Sequence, residues 1–127
     1  MQQLRTPLSR VLGLGSAKDG TSHWWAQRVS AIAIGPLLLW FGIATAALPD
    51  YSYTTVTQFV ASPIVTVLLL LLTGTGLYHA KLGLQVVIED YVHGGTKIAA
   101  LIAVNFAVIG LTVAAMFSIL RVALTTA

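Results

Sequence analysis

Three long apolar runs, separated by short polar segments, dominate the pattern of hydrophobic and polar positions along the chain. The first covers residues 29–48, the second starts after Pro63 and extends to about Glu89, and the third extends from about Lys97 to Val122. Each is at least as long as the roughly 20 residues with which an α-helix crosses the hydrocarbon layer of a bilayer. The pattern predicts an all-α membrane protein with three transmembrane helices.

The polar segments set the expected boundaries of a single membrane-anchor domain. We expect a cytoplasmic arm at 1–22, a first helix at 23–48, an external loop at 49–62, a second helix at 63–92, a cytoplasmic turn at 93–97 and a third helix at 98–122. Ser22 suits an N-cap position and Pro63 suits a first helical turn. Pro36 is expected to kink the first helix unless a neighbour satisfies the freed carbonyl.

The basic residues predict the orientation of the chain. With the N-terminus in the cytoplasm, six of them lie at or near the cytoplasmic face: Arg5, Arg10, Lys18, Arg28, Lys81 and Lys97. Arg121 alone then lies on the other side. This asymmetry satisfies the positive-inside rule. The same scattering of basic residues, without an aromatic-rich basic patch, argues against binding to nucleic acid.

The absence of cysteine narrows the chemistry open to this chain. It excludes a disulfide framework, an iron–sulfur cluster and a thiolate metal site built from these residues. A metal held here has to rest on histidine or carboxylate ligands.

His79 is an ionisable side chain deep inside the second predicted helix, which makes it a candidate functional residue. It lies about 16 Å along the helix from Asp90, which places it about 10 to 15 Å below the cytoplasmic surface. Gly76 and Gly83 lie about one turn on either side and would leave clearance for a flat macrocycle held by the imidazole. Alternatively, His79 hydrogen-bonds to another helix, and the glycines serve only packing.

Two residues at the start of the first helix suit the binding of an anion. Arg28 lies above the small residues Ala31 and Gly35, and a guanidinium there can pair with the propionate carboxylates of a haem. His23 lies one turn before Gln27 and can donate to the same anion. The alternatives are an arginine that reaches lipid phosphate and a histidine that is merely solvated.

The end of the second helix carries Asp90 and Tyr91. A phenol at the membrane surface can donate a hydrogen bond to a quinone carbonyl, and a nearby carboxylate can relay protons during its reduction. Alternatively, Tyr91 belongs to the interfacial aromatic belt. An acidic residue at a helix C-terminus opposes the helix dipole, which makes Asp90 a stronger candidate for a functional role.

The chain does not complete a haem site alone, because His23 and His93 lie near the surface while His79 lies deep. A second axial ligand is therefore expected from another subunit. The third helix supports this expectation with a row of small residues that permits close approach of a partner helix. This row comprises Ala99, Ala103, Ala107, Gly110 and Ala114.

The motif His79-Ala80-x-x-Gly83, with the following Val87 and Asp90-Tyr91-Val92, resembles the hydrophobic membrane anchor subunit of succinate dehydrogenase, respiratory complex II, of the bacterial haem b type. Gly20, His23 and Arg28 before the first helix support the resemblance. It implies that His79 is an axial ligand of haem b iron, opposite a histidine of the cytochrome b subunit. It also implies that Tyr91 and Asp90 contact ubiquinone and that Arg28 and His23 lie near the haem propionates.

The resemblance further implies a role in a bacterial inner-membrane complex. There this chain would partner the cytochrome b membrane subunit, an iron–sulfur subunit and a flavoprotein subunit with FAD, and it would have no activity alone. Electrons from succinate would pass through the flavin and iron–sulfur clusters to ubiquinone. Two rival hypotheses are a haem-free anchor or assembly protein and a small transporter. The transporter hypothesis is weaker because no acidic residue lies at mid-membrane.

Overall fold

The computed structural model describes residues 18–126, with side chains from Thr21 onwards. The described chain is entirely helical apart from its connecting segments. Its helices are α1 (Lys18–Ala46), α2 (Tyr53–Ala61), α3 (Pro63–Tyr91) and α4 (Gly95–Thr126). Most of the predicted arm at 1–22 lies outside the described residues. Ser22 lies inside α1, which begins at Lys18, so it does not occupy the predicted N-cap position.

The prediction of three membrane-spanning helices is confirmed. Within the described residues, three helices are long and apolar enough to cross a bilayer: Thr21–Ala46, Pro63–Tyr91 and Gly95–Thr126. Few residues in these spans are buried within the chain, and Leu82 and Ala123 are the buried hydrophobic residues of the described region. Most apolar side chains therefore face outward, as expected for surfaces covered by lipid or by another subunit.

The segment predicted as an external loop contains the short helix α2. Ser52 begins it, because its side chain accepts a hydrogen bond from the backbone N–H of Thr55 at 3.3 Å. The Phe59 ring of α2 stacks on the Trp40 ring of α1, with centroids 6.5 Å apart. A threonine-rich segment can thus form a helix because it has a cap at one end and an aromatic contact with a longer helix.

The junction between α2 and α3 is tight. Pro63 opens α3, where its missing N–H costs no helical hydrogen bond. The Thr66 hydroxyl donates to the carbonyl oxygens of Val60 at 2.6 Å and Ser62 at 3.0 Å. The Ser62 carbonyl also accepts the Thr66 backbone N–H at 2.8 Å, so the hydroxyl adds a donor chiefly for the Val60 carbonyl in the last turn of α2.

The turn between α3 and α4 depends on one glycine. Gly94 has φ +70°, a left-handed conformation that side chains with a Cβ rarely adopt. The Thr96 hydroxyl donates to the carbonyl of His93 at 2.7 Å across the turn. The turn thereby reverses the chain within a few residues and sets α4 beside α3.

Helix α3 lies between the other two long helices. It packs on α1 and on α4, whereas within the described residues the backbones of α1 and α4 make no contact with each other. Gly74 allows the close approach of α4, since a Cβ at that position would lie 3.0 Å from the Met116 methyl carbon. The central position of α3 means that His79 can meet residues of α1 directly.

The row of small residues on α4 does not pack on α3. All five of its members are exposed: Ala99, Ala103, Ala107, Gly110 and Ala114. A Cβ added at Gly110 would meet nothing within 4 Å.

Candidate functional site

The imidazole of His79 lies at the interface between α1 and α3. Its Nδ1 atom is 2.9 Å from the Ser30 hydroxyl oxygen, and its Nε2 atom is 3.4 Å from the Gln27 side-chain nitrogen. Gln27 and Ser30 are three residues apart in α1, so both project from the same face of that helix. Two polar side chains of α1 thus meet the one histidine inside α3.

The contacts of Ser30 indicate which imidazole nitrogen carries the proton. The Ser30 hydroxyl also donates to the backbone carbonyl of Gln27 at 3.1 Å, and a serine has only one proton to donate. When the serine proton lies on that carbonyl, the serine oxygen accepts from Nδ1–H of His79. The Nε2 atom then carries a lone pair, and the Gln27 amide nitrogen lies 3.4 Å from it.

This interface is well shielded. Ser30 is 5% exposed and Leu82, which lies one turn from His79 on α3, is also 5% exposed. Two buried polar atoms of α1, Gln27 Oε1 and His23 Nε2, have no hydrogen-bond partner within the described part of the chain. A buried polar atom without a partner is costly, so these two atoms mark a place where a further polar group would be stabilising.

His23 lines a cavity at one end of the α1–α3 interface. The cavity has a volume of about 530 Å³ and is also lined by Tyr78, Gln85 and Glu89. The Gln85 amide donates to the Glu89 carboxylate at 2.9 Å. The cavity is therefore polar, and the buried Nε2 atom of His23 is the unpaired group beside it.

Arg28 projects from a different face of α1. Its guanidinium carbon lies 5.3 Å from the centroid of the Trp24 ring, an arrangement typical of a cation–π contact. Both residues are exposed. The guanidinium is thus held near one end of α1, where a carboxylate arriving from outside the chain could reach it.

Asp90 and Tyr91 close α3, and both are exposed, with Tyr91 at 80%. Tyr91 is twelve positions beyond His79, a rise of about 18 Å along a helix. Both residues lie on α3, as the sequence predicted. The depth of the imidazole and the role of each side chain stay predictions.

The glycines beside His79 differ in their surroundings. A Cβ added at Gly76 would meet nothing within 4 Å, while one at Gly83 would lie 3.8 Å from the Gln27 side-chain nitrogen. Neither glycine is required by packing inside this chain. The space beside Gly76 is open and forms part of a groove that Leu111 and Ala115 of α4 also line. The clearance for a flat ligand beside His79 stays a prediction.

The ligand set suits a macrocycle better than a free metal ion. The described residues contain no group of three or more histidine, cysteine or acidic side chains able to hold a metal. A haem iron already has four ring nitrogens and needs only axial ligands from protein. The single imidazole of His79 can fill that role once the Gln27 amide turns away from Nε2, so these residues fit a haem.

Sequence reasoning did not identify Ser30 and Gln27 as partners of His79. A signal was available, because both are polar residues spaced three apart at the start of an apolar helix. Whether they lie level with His79, however, depends on the axial register between α1 and α3, which the sequence pattern does not determine.

This fold and site define a class: a multi-pass helical membrane protein in which a histidine of one span contacts polar side chains of another. A protein-family model described as the succinate dehydrogenase/fumarate reductase transmembrane subunit matches residues 2–119. The chain belongs to this family, and the resemblance seen in the sequence is confirmed.

Curated relatives support the assignment. The chain is 39% identical over 88 residues to the succinate dehydrogenase hydrophobic membrane anchor subunit of Rickettsia bellii, covering 69% of this chain and 70% of that protein. It is 36% identical over 97 residues to the subunit of the same name from Paracoccus denitrificans, covering 76% of this chain and 75% of that protein. No solved structure matches the chain significantly.

Proposed function

We propose that this chain is the membrane anchor subunit of a succinate:ubiquinone oxidoreductase, in which His79 ligates haem b and Tyr91 helps to bind ubiquinone. The observation that carries the haem assignment is the imidazole of His79 between α1 and α3, with Nδ1 next to the Ser30 hydroxyl. Membership of the family supports the role as anchor, since its relatives carry that name.

Haem b would supply one-electron chemistry near the quinone when bound. His79 would hold its iron through Nε2, the nitrogen that the Ser30 contact leaves unprotonated. The other protein ligand of the haem would come from the cytochrome b subunit, because His93 is exposed in the α3–α4 turn and His23 lies in another helix near its start.

The haem propionates would be bound by Arg28 and His23. Arg28 offers a cation on the outer face of α1, steadied by Trp24. His23 offers a buried Nε2 atom that has no hydrogen-bond partner among the residues that the structure describes. Both lie in the first turns of α1, as required for groups that meet carboxylates at the membrane surface.

Ubiquinone would bind at the end of α3. The exposed Tyr91 hydroxyl would donate a hydrogen bond to a quinone carbonyl, and the Asp90 carboxylate would relay protons as the quinone is reduced. Electrons from succinate would reach the quinone through FAD and iron–sulfur clusters of the partner subunits. This arrangement requires that the N-terminus and the α3–α4 turn lie on the cytoplasmic side of the bacterial inner membrane.

The test is a reduced-minus-oxidised optical spectrum of the complex that copurifies with this chain in mild detergent. We expect a b-type haem signal that is lost in His79→Ala. The matched control is His93→Ala, which removes an exposed imidazole from the α3–α4 turn and should keep the signal. An unchanged haem content in His79→Ala would overturn the ligand assignment.

A haem-free anchor is the second candidate. One observation favours it: both nitrogens of His79 already have neighbours within this chain, Ser30 and Gln27. In that case His79 would serve only to join α1 to α3. The wild-type complex would then show no b-type signal, and Tyr91 would remain the residue to test for quinone binding.

A further inference from the structure

We propose that Ser30 is a positioning residue that fixes the tautomer and the ring orientation of His79 for metal ligation. This inference rests on the proposed function, because it concerns how the chain presents its ligand to the haem. Ser30 itself touches neither haem nor quinone in this proposal. Its action is transmitted through the imidazole.

The first step is the direction of the hydrogen bonds. The Gln27 carbonyl can only accept, so the Ser30 hydroxyl donates to it across 3.1 Å. The same oxygen lies 2.9 Å from Nδ1 of His79, and with its proton on the carbonyl it accepts from Nδ1–H. Two hydrogen bonds then follow one another: Nδ1–H of His79 donates to the Ser30 hydroxyl oxygen, and the Ser30 hydroxyl donates to the Gln27 carbonyl.

The second step is the consequence for the ligand. An imidazole with the proton on Nδ1 presents a lone pair at Nε2, and only a nitrogen with a free lone pair can bind a metal. The opposite arrangement, with Ser30 donating to Nδ1, would place the proton on Nε2 and block ligation. The backbone carbonyl of Gln27 accepts the hydrogen bond from the Ser30 hydroxyl. It thereby selects the tautomer of His79 that can ligate a metal.

The third step is rigidity. Ser30 is 5% exposed, and its hydroxyl is tied to the backbone of its own helix, so the acceptor for Nδ1–H has little freedom to move. Metal-binding histidines commonly donate their second N–H to such a partner, which fixes the ring and raises its basicity. In this chain the partner comes from α1, so packing of α1 on α3 orients the ligand.

The experiment compares substitutions at Ser30 in the purified complex. Ser30→Ala removes the acceptor. Ser30→Thr and Ser30→Val introduce side chains of nearly equal shape, of which only threonine has a hydroxyl. Any change in haem binding common to both therefore reflects size, and any difference between them reflects the hydrogen bond. Ser118→Ala is the matched control, because this exposed serine donates to the Ala114 carbonyl of its own helix in α4.

The readouts are haem content, the g values and line width of the oxidised haem in electron paramagnetic resonance, and the haem midpoint potential. In Ser30→Ala and Ser30→Val we expect haem to be retained about 10- to 100-fold less tightly. We expect a broader spectrum with shifted g values and a more positive midpoint potential, since a less basic imidazole stabilises oxidised iron less. Ser30→Thr should restore all three towards wild type.

Three outcomes separate this inference from the proposed function. Loss of haem in His79→Ala together with wild-type spectra and potential in Ser30→Ala would overturn the role of Ser30 and leave the ligand assignment intact. Equal spectral changes in Ser30→Thr and Ser30→Val would also overturn it, because the effect would then follow size. A wild-type complex without haem would overturn both.

Discussion

The imidazole of His79 and the hydroxyl of Ser30 lie 2.9 Å apart although 49 positions separate them in the sequence. They join α3 to α1 at an interface that also holds the Gln27 side chain. Such interhelical hydrogen bonds between membrane helices contribute about 0.6 kcal/mol on average. That figure is too small for the contact to dominate the packing of α1 on α3, so its main consequence is the orientation of the imidazole.

Tyr91→Phe tests the quinone site. The substitution removes a hydroxyl from an exposed ring at the end of α3 and leaves the helix unchanged. A hydrogen bond contributes about 1 to 1.5 kcal/mol, so we expect quinone reductase activity to fall about tenfold. Haem content should stay at the wild-type level, because Tyr91 lies about 18 Å along the helix from His79.

Tyr53→Phe is the control for this measurement. Tyr53 is also an exposed tyrosine, at 84%, but it lies in α2 at the opposite end of the spans. Its loss should leave reductase activity unchanged. Full activity in Tyr91→Phe would show that the quinone binds elsewhere.

Arg28→Leu tests the propionate contact. A cation near the propionates stabilises the reduced haem, which carries the more negative charge, so we expect a lower midpoint potential and weaker haem retention. Arg28→Lys should leave the haem midpoint potential close to the wild-type value, since the positive charge remains. The lysine should, however, bind the propionate carboxylate less well than arginine does. Arg121→Leu, at an exposed arginine near the far end of α4, is the control. An unaltered potential in Arg28→Leu would limit Arg28 to a role in membrane topology.

Much of the fold could be predicted from the sequence because apolar length and turn residues act locally. The three spans follow from runs that exceed the bilayer thickness, and Gly94 marks the end of α3 through its left-handed backbone. The chemistry of α3 was also visible, because one histidine stands among apolar residues and one tyrosine follows at the helix end.

The remaining features depend on contacts between distant segments. The helix α2 arises from the Ser52 cap and the Trp40–Phe59 stack, and the stack joins residues of separate helices. The contact of His79 with Ser30 depends on the register of α1 along α3. A hydrophobic pattern indicates which face of a helix is apolar. It does not determine which helix packs on that face or at what register along the axis.

The pH dependence of the segment before α2 follows from Asp50. Hydrogen bonds from the Ser52 and Thr55 side chains and from the Ser52 backbone hold the pKa of its carboxyl below the ordinary value. A lowered pKa means that the stabilisation is present above the ordinary value, about 4, and is lost as the pH falls through the lower folded value.

The measurement for Asp50 is amide hydrogen exchange at Ser52, whose N–H donates to the carboxylate at 2.9 Å. Protection, corrected for intrinsic exchange rates, should exceed that of Asp50→Ala at neutral pH. The difference should disappear in strongly acidic solution. Equal protection in both proteins at every pH would contradict the assignment.

Gly76→Leu tests the clearance for the haem beside His79. Open space surrounds Gly76, so a leucine there should leave α3 and α4 in place. It would, however, project beside His79 where we expect a flat macrocycle. Haem should therefore be lost while the subunit still enters the membrane complex.

Gly74→Leu is the matched variant, because it disturbs packing within the chain instead. The new side chain would overlap the Met116 methyl carbon, which lies 3.0 Å from an added Cβ. Such overpacking typically costs about 1 to 3 kcal/mol, so Gly74→Leu should lower the thermal stability of the complex. Haem content and melting temperature measured on both variants separate the two effects. Normal haem binding in a folded Gly76→Leu complex would show that the macrocycle does not lie on this side of the histidine.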